Sequence, residues 1–188
     1  MRILFVLKDS LIHERLGVMY LSSSLKTAGH TVRLVLAGCI GVSGLKRIMD
    51  TYLPSVVGYS AMTGEHVKLL EINRMLKKDY QFLSVFGGPH ATFSRSLIKE
   101  DGCDAACVGE GEVSFVEFCN RFERKEDYWR TPNFITKYNG DIIINTVAPL
   151  VANLDLLPFP DRNLMYKADP PLMREGRKLF FFWARLSL

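Results

Sequence analysis

No stretch of this 188-residue sequence reaches the length of a membrane span, and no dense block of lysine or arginine occurs. The first absence leaves no candidate for a spanning helix. The second, with a net charge of only +4 spread along the chain, argues against nucleic acid or an anionic membrane as partner. The opening apolar run, Ile3 to Leu7, is too short for a signal-peptide core, and no small-residue cleavage site follows it. A cytoplasmic location is therefore expected. Cysteine is scarce: Cys39, Cys103, Cys107 and Cys119 lie inside apolar segments without framework spacing. They read as reduced, buried thiols of a reducing compartment. Repeats and low-complexity tracts are missing too.

Hydrophobic residues make up 48% and charged residues 23%, enough for a sizeable soluble core. Ile3 to Leu7 reads as a strand covered on both faces. Further strands are expected at Thr31 to Leu36, Ser55 to Ser60, Phe82 to Phe86 and Asp104 to Val108. Between them, helical spacing places Leu21, Leu25 and Ala28 on one helix. Leu45, Ile48 and Met49 fall on a second, after a loop from Gly38 to Gly44. Leu69, Ile72 and Leu76 share a third, and Phe115, Phe118, Cys119 and Phe122 a last one. Ser94 is a candidate cap for a short helix through Ile98. Five strand–helix units in alternation argue for an α/β fold with a doubly wound, five-stranded parallel sheet.

The texture changes after Arg124. Residues 1–125 read as the α/β domain, and 126–188 as a hairpin and an extended linker. Asn139-Gly140-Asp141 is the hairpin signal. Asn153 to Arg162 is too proline-rich for regular structure, and the apolar run Phe180 to Trp183 near the end is an exposed patch in want of a partner.

The stretch Val85 to Thr92 carries the strongest local signal. A buried strand stops at Gly87-Gly88, then Pro89 and His90. Open α/β sheets bind ligands at such strand ends. Ser60 to Gly64 and Gly109 to Glu112 lie at strand ends on the same rim. Taken singly, each glycine would serve only a tight turn. Together they point to a cleft lined by backbone. The loop Lys8-Asp9-Ser10-Leu11-Ile12-His13 lacks the G-x-G-x-x-G fingerprint, and no P-loop lysine pattern exists. Glu110 and Glu112 would repel phosphate. They read as solvated acids favoured by a helix start rather than an acid/base pair. Of the four histidines, His30 follows a helix-ending glycine and is expected at the surface. His66 suits either a rim or a surface role, and His13 and His90 project from the ligand rim. Cys103 and Cys107 read as core, because an iron–sulfur cradle would need another cysteine where Glu110 stands.

Three segments in order, Gly58-Tyr59-Ser60-Ala61-Met62-Thr63, Gly87-Gly88-Pro89-His90-Ala91-Thr92 and Val108-Gly109-Glu110-Gly111-Glu112, resemble the N-terminal cobalamin-binding domain of B12-dependent radical SAM enzymes. Leu154 to Arg162 is similar to the link between that domain and the radical SAM barrel. The resemblance covers Arg2 to about Arg162. It implies a flavodoxin-like, Rossmann-like sheet with cobalamin over its C-terminal rim and the nucleotide tail inserted between strands. Ser60 and Thr63 would hydrogen-bond the buried tail, with Ala61 between them also at the cofactor. Gly87 and Gly88 would let it lie against backbone, with Pro89 and His90 shaping the edge and Gly109, Glu110 and Gly111 closing the other wall. On this reading Gly88→Val is expected to block binding while sparing the fold.

Two departures bear on chemistry. Cobalamin mutases and methionine synthases carry Asp-x-His-x-x-Gly after the first strand, whose His ligates cobalt. Here Asp9, His13 and Gly17 stand too far apart, so binding without a His ligand is expected, with His13 the candidate only if that spacing is overcome. The Cys-x-x-x-Cys-x-x-Cys segment expected after the link is missing from Arg177 to Leu188. The 4Fe–4S cluster and S-adenosylmethionine would therefore belong to a full-length enzyme, and the expected partner is a radical SAM domain in cis or trans. Catalysis by this chain alone is not expected. The rival readings are a flavodoxin-like FMN or nucleotide-binding oxidoreductase domain and a receiver-type signalling domain. The receiver is weakened by Ser60 and Glu110 where an Asp and a Lys would be needed.

Overall fold

A strand that is apolar at every position must be covered on both faces, and Ile3 to Leu7 meets that requirement. The computed structural model describes residues 1–9 and 15–168. In chain order it contains β1 (Arg2–Leu7), α1 (Leu16–Thr27), β2 (Thr31–Leu36), α2 (Ala37–Tyr52), β3 (Val56–Ser60) and α3 (Glu65–Lys77). These are followed by β4 (Leu83–Gly87), a short α4 (Pro89–Phe93), β5 (Ala105–Cys107), α5 (Ser114–Arg124), β6 (Phe134–Tyr138), β7 (Asp141–Ile144) and α6 (Arg162–Ala168).

The five parallel strands stand in the order β2-β1-β3-β4-β5, the doubly wound arrangement expected from the sequence. The order reverses between β1 and β3, which is where such sheets open a crevice. The Asn139-Gly140 hairpin folds where its signal lies. Its first strand, β6, pairs antiparallel with β5, so the hairpin extends one sheet to seven strands.

Side chains alternate along each strand. Ile3, Phe5 and Leu7 face a core closed by Val18, Met19 and Leu25 of α1, Phe115 and Phe118 of α5, and Leu164 and Met165 of α6. Leu4 and Val6 face a second core closed by α2 and α3 through Leu45, Ile48, Leu69 and Leu76. The proline-rich linker is anchored at its C-terminal end, while Leu154, Leu156 and Phe159 within it are exposed. Asp161 accepts from Ser22 Oγ at 2.7 Å and pairs with Lys26, while its backbone N–H donates to the Met19 carbonyl.

Four local expectations are corrected. Gly38 to Gly44 is not a loop but the first part of α2, which kinks at Gly41 (φ 63°). Glycine accepts that conformation, so the helical chain resumes after the break. Cys39 on this segment is exposed, unlike the other three cysteines. His30 is buried, with Nε2 3.1 Å from Asn120 Oδ1 and Nδ1 3.3 Å from the Met1 amino group. Ser94 Oγ accepts no capping hydrogen bond; the residue separates α4 from a single 3-10 turn, Arg95–Lys99. Among the described residues no helix is long and apolar enough to cross a membrane.

Candidate functional site

The parallel register brings small residues together on one side of the sheet. Gly58 stands opposite Val85, Ser60 opposite Gly87, and Val85 opposite Ala105. Alternation then aims Gly58, Ser60, Gly87 and Cys107 at the α1/α5 side, while Tyr59 and Phe86 point the other way and stack at 4.6 Å. Missing side chains at the strand ends leave a cavity of about 390 Å³ over β1, β3, β4 and β5. Phe5, Val85 and Phe115 supply its apolar floor. Val18 and Leu21 of α1 form one wall, and Gly109 to Glu112 the other. A Cβ at Gly87 would meet only Cys107 Cβ, at 3.8 Å, so this position borders open space.

Hydrogen bonds tie the rim loops to one another. The Ala61 N–H donates to the Gly87 carbonyl at 3.0 Å, and the His90 N–H donates to the Ala61 carbonyl at 3.1 Å. Thr92 Oγ1 accepts from the Gly109 N–H at 3.1 Å, which joins the β4 and β5 ends. Asn133, buried just before β6, donates to the Glu110 carbonyl at 2.7 Å and accepts from the Ala148 N–H at 2.6 Å. The hairpin thereby buttresses the Gly109 wall. Nothing in the local sequence around Asn133 announces this, because its partners lie on either side of the hairpin.

Of the residues singled out in the sequence, Ser60, Gly87, Gly88, Pro89, Gly109, Glu110 and Gly111 line the cavity. Ala61 is buried behind it, and Thr63 is exposed outside it. His90 is 8% exposed and faces Thr63 Oγ1 at 3.2 Å and the His66 ring, stacked at 3.6 Å, rather than the cavity. Burial, and then the neighbouring His66, lowers its pKa below the ordinary imidazole value. His13 and the Phe180 to Trp183 run lie outside the described residues.

Sequence reasoning gave no ligand role to Arg15, Gly58, Cys107 or Phe115 and left Glu112 a rim acid, yet all five line the cavity. A glycine inside a strand pattern was the available signal at Gly58. Burial pushes the Cys107 thiol up to about 12, with the charge of Glu112 adding to the rise. Both cysteines of the Cys103/Cys107 pair are buried core groups, as expected. Gly88 requires a correction. At φ 88° and ψ −173° it occupies a region open essentially to glycine, and a Cβ there would meet the Ala61 carbonyl oxygen at 3.0 Å. Its first duty is to the fold, so Gly88→Val would not spare it.

Polar groups in the cavity wall are left without partners among the described residues. Ser60 Oγ makes no hydrogen bond among the described residues. Arg15 Nη2 reaches Glu65 Oε1 at 2.8 Å and Oε2 at 3.1 Å, yet its buried Nε has no acceptor, and Glu112 Oε2 has no donor. Glu112 is half-buried with one carboxylate oxygen out of solvent, whereas Glu110 is exposed and accepts from the Val151 N–H at 3.0 Å. A larger open groove of about 950 Å³ lies at the opposite, N-terminal edge, near Tyr80, Phe82 and Asn139. Position outweighs size here, because ligands of open α/β sheets bind beyond the carboxyl ends of the strands.

The uncharacterized methyltransferase PH0819 of Pyrococcus horikoshii is 30% identical over 163 residues, 82% of this chain and 35% of that protein. The anaerobic magnesium-protoporphyrin IX monomethyl ester cyclase of Synechocystis is 26% identical over 148 residues, 75% of this chain and 30% of the cyclase. This chain thus spans about a third of the length of these relatives. Among solved structures, the cobalamin-dependent S-adenosylmethionine radical enzyme OxsB, with aqua-cobalamin and S-adenosylmethionine bound, shares the fold. The TM-score is 0.70 at 15% identity over 89% of this chain and 25% of that one. The radical S-adenosylmethionine methyltransferase TsrM of Kitasatospora setae, with cobalamin and a 4Fe–4S cluster bound, gives 0.67 at 17% identity, covering 85% of this chain and 31% of that one. Residues 3–119, the segment that builds the parallel sheet and the cavity, match the B12-binding domain, and the chain belongs to that family.

Proposed function

We propose that this B12-binding domain holds a corrinoid across the C-terminal rim with the nucleotide tail in the cavity beneath it. The supporting observation is the in-register set of Gly58, Ser60, Gly87 and Cys107, which clears a slot on one side of the sheet only. The residues present fit such a group. Ser60 Oγ and the orphaned Arg15 Nε offer hydrogen bonds, and Gly87, Gly109 and Gly111 keep the walls close to bare backbone. Pro89 shapes the edge at the start of α4. Thr63, His90 and Ala61 act from behind, holding the rim loop in place.

A bound corrinoid supplies cobalt chemistry, either carrying a methyl group or cycling between oxidation states. The chain's own residues bind the tail, orient it and exclude water from it. In this reading residues 1–125 carry the site, and 126–188 lead toward a radical SAM domain in cis or trans, which would supply the 4Fe–4S cluster and S-adenosylmethionine. The named activities of the relatives favour methyl transfer or cyclase-type redox chemistry for the assembled enzyme. The FMN and receiver readings are not favoured by the family match.

A retention experiment tests the binding step. Purified chain mixed with hydroxocobalamin or methylcobalamin should keep its red colour through desalting, and FMN should wash away. Loss of both corrinoids would overturn the reading.

A further inference from the structure

Asn133 stands where three chain segments meet. It is 4% exposed and holds φ 66°, a left-handed conformation that asparagine tolerates better than most residues. Its backbone donates to the Thr146 carbonyl at 2.9 Å and accepts from the Val108 N–H at 2.8 Å. The side chain therefore lies between the end of β5 and the chain that leaves β7. Nδ2 donates to the Glu110 carbonyl at 2.7 Å, and Oδ1 accepts from the Ala148 N–H at 2.6 Å. The exit segment, residues 147–151, reaches the same wall twice more. The Val151 N–H donates to Glu110 Oε2 at 3.0 Å, and Val147 Cγ1 lies 4.0 Å from where a Gly109 Cβ would stand. Gly109, Glu110 and Gly111 line the cavity, and glycine backbone does not fix its own path. Neighbours must place this loop. Thr92 Oγ1 holds it on the β4 side, and Asn133 with the exit segment holds it on the other.

We infer that Asn133 is a positioning residue that couples the exit segment to the corrinoid slot, so that the placement of residues 147–151 sets the Gly109–Gly111 wall. This rests on the corrinoid reading above and adds a control to the same site. Coupling of this kind is reciprocal. A seated exit segment favours the wall that fits the tail, and a bound tail favours the seated segment. In the reading above this segment leads toward the radical SAM domain, so a displacement of that domain would reach the slot through one amide side chain.

Titration with hydroxocobalamin and amide exchange by NMR test the coupling in the same chain. Asn133→Asp keeps the acceptor for Ala148 but turns a second acceptor toward the Glu110 carbonyl. Asn133→Gly suits the backbone angle and loses both side-chain bonds. Each should weaken corrinoid affinity about five- to tenfold, the usual worth of one such hydrogen bond. Asn145→Ala is the control for a loosened hairpin. It removes bonds to the Trp129 and Phe134 carbonyls, neither of which lines the cavity, and should lower the unfolding midpoint with affinity unchanged. In the unaltered chain, hydroxocobalamin should slow exchange of the Ala148 and Val151 amides at least about fivefold. The Asp141 amide, at the far end of the hairpin, should not change. Normal affinity in both Asn133 variants, an equal loss in Asn145→Ala, or linker amides that do not respond to the corrinoid would overturn the inference and leave the proposed function standing. Failure of the unaltered chain to bind hydroxocobalamin would sink both.

Discussion

Ser60 of β3 stands opposite Gly87 of β4 in the parallel ladder, one residue before the chain turns at Gly88. The pair puts a free hydroxyl beside a position with no side chain, on the face where the cavity opens. Gly87 has ordinary strand geometry, and a Cβ there meets nothing closer than 3.8 Å. Gly87→Val should therefore fold, since a β-branched residue suits a strand, while its methyl groups enter the slot. Corrinoid affinity should drop at least about tenfold, the cost of lost burial and overpacking at one site. The unfolding midpoint should stay close to that of the unaltered chain. A variant that binds normally would show that the tail does not pass this point.

Gly88→Ala should do the reverse. The added Cβ meets the Ala61 carbonyl oxygen and nitrogen at 3.0 and 3.1 Å, both backbone atoms that cannot swing away, and the φ of 88° is strained for any side chain. A loss of about 1 to 3 kcal/mol is expected. Urea denaturation measures it, and an unchanged midpoint would mean that the β4–α4 turn relaxes without difficulty.

Tyr59 gives a third expectation. Its ring is stacked on Phe86 and 1% exposed, yet the hydroxyl finds no partner among the described residues. Burial pushes its pKa well above the usual phenol value, with the charge of Asp104 adding to it. Removing a buried, unsatisfied hydroxyl relieves a desolvation cost. Tyr59→Phe should stabilise the fold by about 1 kcal/mol in the same urea measurement. Destabilisation would indicate a partner for the hydroxyl, such as a trapped water.

These sites show what a linear sequence can carry. Strand spans were legible because Ile3 to Leu7 and its counterparts are apolar in short runs, and the rim loops were legible because glycines follow those runs. The slot itself depends on register. Gly58, Ser60, Gly87 and Cys107 share a face only once three strands pair, and no local pattern states how they pair. His30 illustrates the same limit. The glycine before it suggested an exposed turn, but Asn120 and Glu123 on α5 come from 90 or more residues away to enclose it.

The burial of His30 makes stability depend on pH. Burial and then the Met1 ammonium lower its pKa from the ordinary 6.5, against opposing contributions from Glu123 and Asn120. The unfolded chain therefore takes up a proton at a higher pH than the folded protein does. His30 contributes its full share of stability above the unfolded value, and that share is lost as pH falls through 6.5 toward the lower folded value. His90, lowered by its own burial and by His66, acts in the same direction. The urea midpoint should consequently fall between about pH 7.5 and about pH 5.5. In His30→Gln, which keeps an amide to meet Asn120 but cannot titrate, the fall should shrink to the part owed to His90. An identical fall in both proteins would show that His30 is protonated as readily in the folded state as in the unfolded one.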